Sequence, residues 1–229
     1  MKRAVATLLR VLLLPPLIAL SGAFVCALGD LGGNLDLGNA VLPITAGFAA
    51  CLGLCACGFR FLRLYVFGHE LTHWVAAKLF LRETGGLRLA RASGSVGVER
   101  PNIWIVLAPY FIPVYTLAWI GFWGVFRFFN RAPGLAAAHT FHAGLGFTYA
   151  FHIVLTTQAL LRQQEDLRRY GRIFSLAVIL CCNLALLFAA LLIAGRQWRA
   201  GIGLLQGYLV VEWHWLVRLW LWLRGICGT

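Results

Sequence analysis

Residues 64–81 read LYVFGHELTHWVAAKLFL, an apolar run with His69, Glu70 and His73 near its middle. Eighteen residues wound as a helix rise about 27 Å, close to the thickness of a bilayer core. His69 and His73 are four apart and so stack on one helical face, with Glu70 one step round from them. Arg63 stands ten residues before His73 and Arg82 nine after it, which sets the pair near mid-depth. Lys78 is closer, but its long stem can carry the ammonium to the interface. A charged side chain at a helix centre costs about 2.5–3.5 kcal/mol on insertion. The bland reading, three polar residues meeting by chance, must bear that cost for nothing in return.

The rest of the chain has the same solvent in view. Of 229 residues, 61% are hydrophobic and 12% charged, and the mean hydropathy is +0.80. Soluble domains carry about 25% charged residues, and no polar stretch here is long enough for a separate soluble domain. One membrane domain over residues 1–229 is expected. The net charge of +12 comes from 20 basic and 8 acidic residues. Most of the arginines fall in short loops between apolar runs, where they set orientation and meet anionic lipid. Nucleic-acid binding would want them on one solvated face among aromatics, so the lipid bilayer is the expected partner and nucleic acid is not. Six of the seven cysteines lie inside apolar runs, and Cys51-x3-Cys55-x-Cys57 lacks a second pair with zinc-ribbon spacing. Small buried apolar residues explain them more simply.

Apolar segments recur at residues 11–28, 40–57, 64–81, 103–125, 135–161 and 173–194. The first follows Met1-Lys2-Arg3, contains Pro15-Pro16 and lacks a sharp cleavage site, so it is expected to be retained. Residues 30–39 read as an external loop. In the polar stretch 82–102, Leu87-Arg88-Leu89 and Val96-Gly97-Val98 flank Ser93-Gly94-Ser95, a short β-hairpin pattern. Pro109 and Pro113 should kink the fourth segment. The last piece, 202–223, holds four tryptophans and a stripe of Gly207, Val211, His214 and Arg218, fitting an interfacial helix or a seventh span. The expected fold is therefore an all-α polytopic membrane protein. It has about six transmembrane helices, a β-hairpin after the HExxH helix, and a Trp-rich C-terminal helix. Counting every span from an inner N-terminus puts loops 82–100 and 162–172, with four arginines each, outside. That opposes the positive-inside tendency, and orientation stays open.

The chemistry of the motif is specific. Two histidines at i and i+4 can bind one zinc, and the intervening Glu70 is placed to take a proton from metal-activated water. Zinc lowers the pKa of such water to about 7, so hydroxide is available at neutral pH. The chain resembles the site-2 protease family of intramembrane zinc metalloproteases. The resemblance rests on His69-Glu70-Leu71-Thr72-His73, on Ala108-Pro109-Tyr110-Phe111, and on Gln164-Glu165-Asp166 with Gly171 after it. It covers about residues 64–183 and is nearest to uncharacterised bacterial members. It implies an endopeptidase of the bacterial inner membrane that cleaves a membrane-embedded or membrane-proximal protein segment. His69 and His73 would then be zinc ligands and Glu70 the catalytic base. The third ligand would be an aspartate leading into a later helix, here Asp166. The resemblance also implies that the hairpin holds an extended substrate by strand addition.

Depth points to a different third ligand. His152 is ten residues from Arg162, as His73 is from Arg63. The two candidates are 14 apart, about 21 Å along one continuous helix, so both can reach one zinc only if the helix breaks between them. His152 belongs to a stripe of His142, Gly146, Tyr149, His152, Thr156 and Gln163, which must face protein or a water-filled cavity. His139 is expected at the interface. Two other functions compete: a membrane haem protein with axial pairs drawn from His69, His73, His142 and His152, and an inactive protease-like scaffold. Haem has no use for Glu70, and no C-x-x-C-H appears.

Overall fold

The computed structural model describes residues 2–33, 38–59, 61–89, 94–161 and 165–227. Its first elements are α1 (Lys2–Gly33), a 3-10 turn (Gly38–Ala40), α2 (Val41–Ala56) and α3 (Leu62–Leu79). The strands β1 (Thr84–Leu89) and β2 (Gly94–Val98) follow, then α4 (Ile103–Phe111), α5 (Val114–Phe129) and α6 (Leu135–Leu161). A five-residue α7 (Glu165–Arg169) precedes α8 (Arg172–Gly195) and α9 (Trp198–Cys227). The molecule is helical apart from one two-stranded sheet among the described residues.

Among the described residues four helices, α1, α2 with the turn before it, α6 and α8, are long and apolar enough to cross a membrane. The bent pair α4 and α5 raises that to five if counted as one span. About six were expected. The shortfall is α3, whose apolar run is interrupted by Arg63, His69, Glu70, His73 and Lys78. The kink expected at Pro109 and Pro113 is a break, with α4 and α5 meeting at 72°.

The chain divides into two compact units, Met1–Leu37 with Tyr170–Thr229, and Gly38–Arg169. Residues 64–183 take in parts of both units. The reason is α8, which packs with α1 and α9. In that unit Phe24, Ala27 and Leu31 of α1 meet Cys181, Phe188 and Leu192 of α8. The expected loop at residues 30–39 begins later than Asp30, which is still in α1 and accepts a 2.5 Å hydrogen bond from Tyr208 of α9. Helix α9 turns Leu204, Leu205 and Tyr208 to this core and leaves Gly207, Val211, His214 and Arg218 exposed.

The second unit holds the motif. Helices α2 and α6 approach so closely that a Cβ on Gly47 would lie 1.9 Å from the Ala143 carbonyl oxygen. One on Gly146 would lie 2.0 Å from that of Ile44. Small residues permit this backbone contact between apolar helices. Helix α3 is pinned from the other side, since Gly68 abuts the Tyr115 ring of α5 and the Tyr115 hydroxyl donates to the Leu64 carbonyl. Asn102 caps α4 by accepting from the Ile105 N–H at 2.9 Å. The hairpin pairs Leu87 with Val96, Arg88 with Ser95 and Leu89 with Gly94, and its register shifts between Thr84 and Leu87. Gly94 and Ser95, expected in the turn, are thus paired strand residues. Ser93 and the remainder of the turn lie outside the described residues, as do Gln163 and Gln164.

Candidate metal centre

Helix α3 turns His69 and His73 inward on one face, as their spacing requires, and their Nε2 atoms are 3.2 Å apart. Asp166 arrives from α7, and its Oδ2 is 3.5 Å from the His69 Nε2 and 3.6 Å from that of His73. Among the described residues these three form the one group of His, Cys, Asp or Glu side chains able to hold a metal ion. A tetrahedral zinc with bonds of about 2.0–2.2 Å sets its ligand atoms about 3.3–3.6 Å apart. The triangle fits that ion, and its two imidazoles and one carboxylate are donors that zinc accepts. The His69 and His73 side chains are 9% and 14% exposed and that of Asp166 is 28% exposed, which leaves an approach from one side.

Each residue of the cluster has contacts beyond it. The His73 Nδ1 lies 2.8 Å from the carbonyl oxygen of Ile105. A carbonyl can only accept, so Nδ1 carries the proton and Nε2 keeps its lone pair for a metal. The Tyr110 hydroxyl donates to the Asp166 Oδ2 at 3.0 Å. The His69 ring stands edge-on to those of Tyr110 and His73. Burial opposes ionisation of Asp166, but the His69 and His73 imidazoles beside it, when protonated, outweigh that. They hold its carboxyl well below the usual carboxylate range.

Glu70 lies between this cluster and the hairpin. Its charge reaches both His73 and Tyr110. A Cβ built on Gly94 would come within 2.6 Å of the Glu70 Cγ and 2.7 Å of the Val66 Cγ1. Strand β2 therefore begins in direct contact with the motif helix, an approach only glycine permits.

His152 is not in the cluster. It is buried on α6 and lines a pocket of about 30 Å³ beside His69, shared with Thr72, Pro109, Phe151 and Thr156. That volume is above the roughly 10–15 Å³ needed to admit a water. Helix α6 ends at Leu161, so Asp166 and His152 are not on one continuous helix. His142 lies against Phe141 near the start of α6, and His139 is half-buried there. The stripe on α6 thus serves two purposes, packing on α2 at Gly146 and lining the pocket at His152 and Thr156. Nitrogens 3.2 Å apart on one helix cannot take opposite faces of a haem. Cys51 packs with Ala150 and Phe151, and Cys57 is exposed.

Sequence reasoning missed three contributors. The roles of Tyr110 and the Ile105 carbonyl depend on how α4 crosses α3. Gly94 was read as a turn residue, although a glycine inside a strand is itself a sign of close approach. The class defined so far is a helical chain with membrane-length apolar helices and, in its second unit, a His-His-Asp cluster beside a glutamate. Compared with known proteins, the chain matches no protein-family profile, no curated protein and no solved structure.

Proposed function

We propose that this chain is an intramembrane zinc metalloendopeptidase, cutting a membrane-embedded or membrane-proximal protein segment, in the manner of the site-2 proteases it resembles. The observation that carries the reading is the triangle of 3.2, 3.5 and 3.6 Å between the His69, His73 and Asp166 ligand atoms. Those residues would hold the zinc, which when bound supplies Lewis acidity and lowers the pKa of a water at its open position. Glu70 takes the proton from the attacking water and passes it to the leaving amide nitrogen. Gly94 brings β2 against Glu70, so a substrate unwound into an extended strand and paired with the hairpin would lie beside the base. His152 and Thr156, across the small pocket from His69, offer polar contacts there. A bacterial inner membrane is the compartment this reading implies.

The test is cleavage of a reporter transmembrane substrate by purified, reconstituted protein, with Glu70→Gln alongside. Zinc-dependent cleavage that the variant lacks is the expected result. Cleavage at equal rates by both would overturn the reading. Zinc retained by a wild type inactive on a panel of transmembrane segments would favour an inactive scaffold.

A further inference from the structure

Ala108-Pro109-Tyr110 sits in the C-terminal half of α4, a helix that donates no metal ligand. Pro109 has no N–H, so it cannot bond the carbonyl four residues back, which is that of Ile105. Its ring also crowds that carbonyl and tilts it from the helix axis. The Ile105 carbonyl is the oxygen that holds the His73 Nδ1 at 2.8 Å. The next residue, Tyr110, is fully buried, and its hydroxyl holds the Asp166 Oδ2, the oxygen that faces both histidines. Asp166 needs such a clamp, because α7 is a single short turn of five residues anchored by Leu167. By contrast α4 is buried from Ile105 through Tyr110.

We propose that α4 aims the metal ligands: Pro109 leaves the Ile105 carbonyl turned out to hold His73, and Tyr110 holds the Asp166 carboxylate. Both are positioning residues, and the proposal rests on the zinc reading above. A carboxylate oxygen has two lone pairs. With the Tyr110 hydroxyl on one of them, the other is directed at the histidine nitrogens. With Nδ1–H fixed on a carbonyl, the His73 ring cannot turn its Nε2 away. Losing contacts of this kind typically costs about 10–100-fold in metal affinity.

The experiment measures zinc affinity of the full-length, detergent-purified protein by competition with a graded series of chelators. The absorption spectrum with cobalt(II) bound instead of zinc is recorded in parallel. The variants are Tyr110→Phe, Pro109→Ala and, as a control on the exposed side of α4, Trp104→Phe, each first shown to elute as the wild type does. Tyr110→Phe should lose about 10–100-fold in zinc affinity and change the cobalt bands. Pro109→Ala, which restores an N–H competing for the Ile105 carbonyl, should lose several-fold. Trp104→Phe should do neither. Wild-type affinity with an unchanged cobalt spectrum in either test variant overturns that residue's role. A wild type that binds no zinc overturns instead the metal reading beneath it.

Discussion

At position 70, glutamine keeps the size and polarity of glutamate but cannot take a proton. Glu70→Gln should therefore leave zinc in place and slow cleavage about 10²–10⁴-fold, the usual worth of a general base. Loss of zinc from this variant would make Glu70 a ligand instead. Asp166 and His152 separate in the opposite way. Asp166→Ala should lower zinc occupancy and stop cleavage, since its Oδ2 completes the triangle. His152→Ala should keep most of the zinc, because His152 lines the pocket without joining the cluster. Retention in Asp166→Ala with loss in His152→Ala would exchange the two roles. At this scale the sequence was most legible where spacing acts locally. The i, i+4 pair needs only helical geometry to converge, whereas Tyr110 meets Asp166 across 56 residues. No local pattern announces such a contact.

Among the elements, the contact between α2 and α6 is set by two glycines whose absent side chains let backbones touch. Gly146→Leu would drive a side chain into the Ile44 carbonyl, and overpacking of this kind costs about 1–3 kcal/mol or more. Thermal unfolding in detergent should show a clearly lower midpoint for the variant, and an unchanged midpoint would contradict the packing described. Gly94→Val tests the second close approach. It should force β2 off the motif helix and cut cleavage sharply with less effect on zinc, because Glu70, not a ligand, is what it strikes. Equal cleavage would separate the hairpin from the site. The helices themselves could be read from apolar runs, and α6 was read to its ends. The break in α4–α5 was legible as a kink because proline acts locally. What hydropathy could not reveal is partner choice. The runs that became α6 and α8 are both long and apolar enough to span a membrane, yet α6 packs on α2 while α8 packs on α1.

At the scale of the whole molecule, large apolar side chains are exposed in both units. Leu8, Leu12 and Ile18 of α1 are more than half exposed, as are Leu180 and Ile193 of α8. Such a surface suits hydrocarbon rather than water. Within the second unit, His69, Glu70, His73, Asp166 and Tyr110 share one region, with α4 buried behind it. A set of polar groups this costly to bury needs compensation, and on the proposed reading a zinc ion supplies it. The most direct test is elemental analysis of the detergent-purified protein, wild type beside His69→Ala, His73→Ala and Asp166→Ala. About one zinc per chain in the wild type, lost in both histidine variants and reduced in the aspartate variant, is the predicted result. A wild type without zinc, or full zinc retention in the two histidine variants, would contradict it.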